Sequence, residues 1–307
     1  MLSSKLLPDV TCYTQLISSC ARRGDPAQAS WWLDRMVAAR FTPDAVAYNA
    51  LIGACAKSGD AVAASRWLEH AARLRMAPNS ISYSMVIDAC AKGRDAVEAQ
   101  RVFEDMARAS LKPNVLCYTA MIDACAKCAD SVGAVKWLQE MEQSTLPPDV
   151  PSYNSVMDSF AKRGDPVEVS LWLDRMSRRG LTPDAISYNI AINSCSQSGN
   201  LVEAGKWLKR MKEAGWSADV ITYTAVIDTC AKHGDIAQAE FWFKEMAQLG
   251  LIADAICFNA VIDGVVKKRG PLAAVRWLDQ MRQTEVMPDL CTYNSIIGGF
   301  VRSGDLE

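Results

Sequence analysis

The chain has 307 residues, of which 50% are hydrophobic and 22% charged, with a formal net charge of -2. That balance is too apolar for a disordered chain and too near neutral for tight non-specific binding to nucleic acid, and no run of 18 or more apolar residues exists to span a bilayer. The N-terminus, MLSSKLLPDV, has neither a signal-peptide apolar core nor the Arg/Ser-rich amphipathic stretch of a transit peptide.

Residues 1–9 read as the tail of a repeat, because LLPD matches FTPD at 41–44 and LTPD at 181–184. Eight contiguous 35-residue units follow without insertion: 10–44, 45–79, 80–114, 115–149, 150–184, 185–219, 220–254 and 255–289. Residues 290–307 open a partial ninth. Since the chain begins and ends inside a unit, a longer parent array is expected. Repetition at such a period is the signature of a solenoid, in which each unit buries its apolar face only against its neighbours.

The first half of a unit carries apolar residues at its fourth, seventh, eighth and eleventh places, as in Tyr223, Val226, Ile227 and Cys230. That spacing is one stripe of an α-helix. A polar turn then ends in Asp25, Asp60, Asp95, Asp130, Asp165, Asn200 or Asp235, each placed to cap a second helix. Pro26, Pro166 and Pro271 suit the first helical position, and Glu98, Glu168 and Glu203 are expected to complete capping boxes. Ala204, Trp207, Leu208 and Met211 show the stripe of the second helix, and Gly180, Gly215 and Gly250 suit a left-handed end to it. The expected fold is all-α: an α-solenoid of stacked helix-turn-helix repeats, each helix about 13 residues or roughly 20 Å long.

Six of the eleven cysteines (Cys20, Cys55, Cys90, Cys125, Cys195 and Cys230) share the eleventh place, which Phe160, Val265 and Phe300 fill elsewhere. A place that accepts Cys, Phe or Val is a core place. The pair Cys125 and Cys128 has no second pair or histidine beside it, His70 and His233 lying in other units, so no metal or other cofactor is expected. The tryptophan row (Trp32, Trp67, Trp137, Trp172, Trp207, Trp242, Trp277) could stack on bases, but Leu and Met neighbours continue the same apolar face, which favours core packing.

Three polar rows remain. The fifth place holds only Thr14, Asn49, Ser84, Thr119, Asn154, Asn189, Thr224, Asn259 and Asn294, all poor helix formers where an unconstrained exposed place would collect Ala, Glu or Lys. Either a ligand imposes this choice or these side chains bond locally to the first turn. The closing place holds Asp44, Asn79, Asn114, Asp149, Asp184, Asp219, Asp254 and Asp289, which also suit helix caps. The thirteenth holds Arg22, Lys57, Lys92, Lys127, Lys162, Lys232, Lys267 and Arg302, broken by Gln197; it suits either a polyanion backbone or a helix C-terminal dipole.

The unit resembles the pentatricopeptide repeat in its plain 35-residue form, over essentially the whole chain, through Val220, Tyr223, Thr224, Ile227, Cys230, Lys232, Gly234, Ala239, Phe243, Met246, Gly250, Asp254 and their counterparts. It departs from that pattern in its Trp row and at Thr11, Pro151 and Cys291, second-place positions where aliphatics are typical. The resemblance implies a single-stranded RNA binder with one repeat per base. It implies base reading by the fifth and closing residues, flanking of the base by Val46, Ile81, Leu116, Ile186, Ile221 and Ile256, and phosphate contact by the thirteenth-place row.

Unit by unit, Thr14/Asp44, Thr119/Asp149 and Thr224/Asp254 resemble G readers, Asn49/Asn79 a pyrimidine reader and Ser84/Asn114 an A reader. Asn154/Asp184, Asn189/Asp219 and Asn259/Asp289 resemble U readers, and the partner of Asn294 lies beyond the chain. The implied target is 5′-G-(C/U)-A-G-U-U-G-U-3′. The resemblance also implies a mitochondrial or chloroplast protein acting in RNA processing, stabilisation, editing or translation. A protein-binding scaffold is the alternative, and would place apolar residues along the groove in place of the Thr/Asn/Ser row. No catalytic constellation is visible, neither an H-x-E with C-x-x-C pair nor clustered metal carboxylates. The chain therefore reads as a non-enzymatic monomer without a small-molecule substrate.

Overall fold

The computed structural model describes residues 8–303 apart from Arg75 and Ala77. The rest of the expected N-terminal tail, 1–7, and residues 304–307 of the partial ninth repeat lie outside the described residues. The described residues form seventeen α-helices and no strand. They divide into two compact units, one up to Phe160 and one from Ala161.

The first unit contains α1 (Val10–Arg23), α2 (Pro26–Ala38), α3 (Ala45–Ser58), α4 (Ala61–Arg73), α5 (Ser80–Lys92), α6 (Ala96–Arg108), α7 (Val115–Lys127) and α8 (Ser131–Gln143). The division falls inside α9 (Val150–Lys162). The second unit continues with α10 (Pro166–Arg178), α11 (Ala185–Gln197), α12 (Leu201–Glu213), α13 (Val220–Lys232), α14 (Ile236–Gln248), α15 (Ala255–Arg269), α16 (Pro271–Gln283) and α17 (Leu290–Ser303).

Helix starts follow the capping residues. Asp60 Oδ1 accepts from the Ala63 N–H at 2.9 Å, and Asp25, Asp95, Asp130, Asp165, Asn200 and Asp235 cap their helices in the same way. Gly180, Gly215 and Gly250 are left-handed just past their helices, with φ of 80°, 83° and 73°. Where glycine is missing at that place, Arg40, Ser110, Thr145 and Glu285 adopt the same left-handed turn, with φ between 59° and 64°.

One expectation about the caps needs correcting. Glu98 does not close a capping box; its carboxylate accepts from the Arg101 guanidinium and from the Ser65 hydroxyl of the preceding repeat. Glu203 pairs with Lys206. A charged or cross-repeat donor displaces the weaker bond back to the cap backbone. The capping boxes that do form use hydroxyl residues, Ser82 with Asn79, Ser187 with Asp184 and Thr292 with Asp289.

Within each unit first helices pack on their own second helices and on neighbouring first helices: α3 lies against α1, α4 and α5, and α13 against α11, α14 and α15. Two layers result, with the core between them. Ile52, Ile87, Ile122, Ile192, Ile227 and Ile262, all at the eighth place, are completely buried. Each contributes roughly 1.5–3 kcal/mol by leaving water. Ile297 holds the same place in α17, which has no described second helix after it, and is 57% exposed. Stacking, and not the helix alone, buries this face.

The eleventh-place cysteines are buried and free, and no group of three or more His, Cys, Asp or Glu among the described residues could hold a metal ion. Burial pushes the Cys55, Cys125, Cys195 and Cys230 thiols up to about 11 and Cys90 to about 12. Because the thiolate is the nucleophile, alkylation of the native protein near pH 8 is expected to label the exposed Cys128 and Cys291 first and to spare these five. Peptide mass spectrometry against an unfolded control checks this. Equal labelling of Cys90 in both states would contradict it.

Candidate nucleic-acid interface

The closing residue of each repeat is the N-cap of the next first helix. Asp44 Oδ1 accepts from the Ala47 N–H at 2.8 Å, Asn114 Oδ1 from Cys117 at 3.0 Å, Asp219 from Thr222 at 2.9 Å and Asp254 from Cys257 at 2.8 Å. Asn79, Asp149, Asp184 and Asp289 do the same for Ser82, Ser152, Ser187 and Thr292. Capping engages Oδ1 and does not use the other terminal atom. The NH2 of a side-chain amide does not accept, so the amides of Asn79 and Asn114 are oriented with Oδ1 on the capped N–H and Nδ2 turned away from it. The closing row therefore presents an acceptor oxygen where it is Asp and a donor N–H where it is Asn. Cap and candidate reader are one residue.

The fifth-place residues are not on an open helix face, as the sequence suggested. Most are half-buried, Ser84 and Asn154 are only 6% and 7% exposed, and Asn294 alone is open. Where first helices stack, the next one covers this place and brings its own third residue against it. The Ser82 hydroxyl donates to Asn49 Oδ1 at 2.6 Å, Thr222 to Asn189 Oδ1 at 2.7 Å and Thr292 to Asn259 Oδ1 at 2.6 Å. The Thr119 and Ser152 hydroxyls lie 2.9 Å apart. Local bonding to the helix backbone is realised at Ser84, which donates to the Ile81 carbonyl at 2.8 Å. The buried Thr14 hydroxyl has no hydrogen-bond partner.

In the last complete repeat the two candidate readers meet: Asn259 Nδ2 donates to Asp289 Oδ1 at 3.1 Å and Oδ2 at 3.3 Å. The Thr292 backbone N–H, the Thr292 hydroxyl and the Asn259 amide hold the Asp289 carboxyl below the usual carboxylate range, so it is an ionised acceptor at neutral pH.

The second-place aliphatics Val46, Ile81, Leu116, Ile186, Ile221 and Ile256 are all exposed, from 54% for Ile81 to 72% for Ile221. They sit one turn before the fifth place on the same helix face. The thirteenth-place row is less free than a bare ladder of charge. Lys92, Lys127, Lys232 and Lys267 each pair with an Asp four residues earlier, Asp88, Asp123, Asp228 and Asp263, at 2.5 to 2.8 Å. Lys57 and Lys92 also donate to carbonyls of the preceding repeat, Arg22 and Ala56. Arg22 and Arg302 are exposed.

The sequence reading missed the third-place hydroxyls. The signal was present: a Ser or Thr stands 33 residues after each fifth-place Asn that has a following repeat to supply it.

Residues 45–200 match the family model described as the pentacotripeptide-repeat region of PRORP, and residues 8–57, 183–232, 218–264 and 253–302 match the PPR repeat family. The chain belongs to the pentatricopeptide repeat family. Among solved structures, the pentatricopeptide repeat protein PPR10 from maize is 25% identical with a TM-score of 0.88, covering 99% of this chain and 43% of that one. PPR10 in complex with an 18-nt psaJ RNA element is 25% identical with a TM-score of 0.80, covering 99% and 44%. This pentatricopeptide repeat chain thus spans less than half the length of those solved relatives. No curated protein sequence matches it.

Proposed function

We propose that this chain binds single-stranded RNA and reads one base per repeat, with the target 5′-G-(C/U)-A-G-U-U-G-U-3′. The observation that carries the reading is the meeting of Asn259 with Asp289, with Ile256 exposed one turn away. An amide N–H beside a carboxylate oxygen complements uracil, which offers carbonyl acceptors on either side of an N3–H donor. An exposed aliphatic on the same helix face supplies the apolar surface against which a base lies. The PPR10 complex with its psaJ RNA element supports RNA as the ligand. The polar pair in each repeat favours base reading over a protein-binding scaffold. We place the chain, as a monomer, in a mitochondrion or chloroplast, in RNA processing, stabilisation, editing or translation.

The test is a titration at fixed salt of the eight-nucleotide RNA against one with its Gs and Us exchanged. Each wrong base is expected to cost about 1–3 kcal/mol, taking direct base readout as the guide. With most lysines of the thirteenth-place row tied to aspartates and a net charge of -2, the exchanged RNA is expected to bind weakly. Equal affinities for the two RNAs would overturn the base-reading proposal.

A further inference from the structure

The third place of the repeat is buried whether it holds a hydroxyl, as in Ser82, Ser152, Thr222 and Thr292, or Ala47, Cys117 or Cys257. Packing at a place that accepts Ala and Cys does not call for a hydroxyl, and a buried hydroxyl needs a partner. The choice follows the preceding repeat. The four fifth-place Asn residues with a following repeat are answered 33 residues later by a hydroxyl: Asn49 by Ser82, Asn154 by Ser187, Asn189 by Thr222 and Asn259 by Thr292. Of the fifth-place hydroxyl residues, Thr14, Ser84 and Thr224 are answered by Ala47, Cys117 and Cys257, and only Thr119 by Ser152.

The chemistry of the amide accounts for this coupling. An Asn side chain ends in an acceptor oxygen and a donor NH2, and a half-turn about its last bond exchanges them. A base facing an unrestrained Asn would meet either. In the structure the third-place hydroxyl accepts from the backbone N–H of the closing residue, Asn79 to Ser82 at 3.2 Å and Asp289 to Thr292 at 3.1 Å, which leaves its proton to donate. Its contacts with the Asn oxygen are short, 2.6 Å for Ser82 and Thr292 and 2.7 Å for Thr222. The competing contacts with the cap oxygen are 3.1, 2.9 and 2.7 Å. At Asn259 the Asp289 carboxylate takes Nδ2 from the other side, so both ends of the amide are assigned. A Thr or Ser reader carries one rotating hydroxyl that donates or accepts, so it has no flip to prevent.

We propose that the third residue of the following repeat is a positioning residue for Asn readers whose repeat closes with Asp: Thr222 and Thr292 lock the amides of Asn189 and Asn259 with the oxygen inward and Nδ2 toward the base. This rests on the base-reading proposal above. Locked in this way, the amide donates to uracil O4 and rejects cytosine, whose N4 amino group is itself a donor. A flipped amide would accept from cytosine. The hydroxyl thus sets the choice of uracil over cytosine without touching the base.

The experiment measures the affinity ratio for U over C at the eighth base, in the full chain, for the unaltered protein, Thr292→Val and Thr292→Ser. Thr222→Val, scored at the sixth base, is the second site. The Val variants are expected to lose roughly three- to tenfold of the U-over-C ratio at their own base. Thr292→Ser retains the ratio, and the preference for G at the seventh base stays unchanged. Because each ratio is taken within one folded protein, a general loss of stability does not imitate the effect. If Thr292→Val and Thr222→Val melt earlier yet keep the full ratio, the hydroxyl serves only the helix cap and the positioning role is overturned while base reading stands. If the unaltered protein has no preference at either base, base reading itself fails and the positioning role falls with it.

Discussion

Thr119→Asn is expected to move the preference at the fourth base from G toward U, and to do so more cleanly than the same change at Thr14. The closing residue of that repeat, Asp149, already caps α9 through Oδ1, accepting from the Ser152 N–H at 3.0 Å, as in the repeats that resemble U readers. The hydroxyl that an Asn reader needs is also in place, since Ser152 Oγ lies 2.9 Å from Thr119 Oγ1. At Thr14 the corresponding residue is Ala47, which offers the amide oxygen nothing. The variant loses the match to G and gains one to U, each worth about 1–3 kcal/mol, so the ratio of the two affinities should swing by about thirtyfold or more. Four RNAs differing only at the fourth base, titrated at one salt concentration, decide it. An unchanged order of preference at that base would count against the unit-by-unit assignment. A uniform loss at all bases would indicate damage to the fold.

The second large effect expected is on stability. Gly264 on α15 lies close against α13: a Cβ there would stand 2.8 Å from Ala231 Cβ, 2.9 Å from Ile236 Cδ1 and 3.0 Å from Ala231 Cα. Ala231 has no flexible end to move aside, so relief requires the helices to separate. Gly264→Leu is expected to cost about 3 kcal/mol by overpacking. In a stack stabilised by nearest-neighbour interfaces, weakening one also makes unfolding less cooperative. Gly53→Ala is the control, since a Cβ there meets only the Met85 Sδ, 3.2 Å away at the end of a flexible side chain. Removing a helical glycine at that site offsets the crowding by about 1 kcal/mol. Denaturant unfolding measures both. Equal midpoints for Gly264→Leu and the unaltered chain would show that α13 and α15 can part freely.

Much of the molecule was legible because its determinants are local. Tyr223, Ile227 and Cys230 declare a helix by spacing alone, and Asp235 caps the next helix with a group three residues away. The role of the closing residue was less legible. Cap and candidate reader looked like alternatives for Asp254 and its counterparts, and the geometry shows that capping uses only one terminal atom. Glu98 was misread because two donors compete for its carboxylate, Arg101 on the same helix and one from outside the repeat. Its second partner, Ser65, belongs to the preceding repeat, and a capping motif three residues long carries no trace of that neighbour.

The sequence by itself thus determined the frame: the 35-residue period, the two helices of each repeat, the capping residues between them and the types admitted at the fifth, closing and thirteenth places. Backbone hydrogen bonds, caps and helical stripes act within a few residues, so a single repeat suffices to specify them. Only the tertiary structure decided how the candidate readers are presented. It partly covered most of the fifth-place residues at the helix seam, tied Lys92, Lys127, Lys232 and Lys267 to neighbouring carboxylates, and set Ser82, Thr222 and Thr292 against amides 33 residues back. The physical reason is that an Asn side chain has two chemically opposite ends, and which end faces outward is settled by a hydroxyl that reaches it only when one repeat stacks on the next.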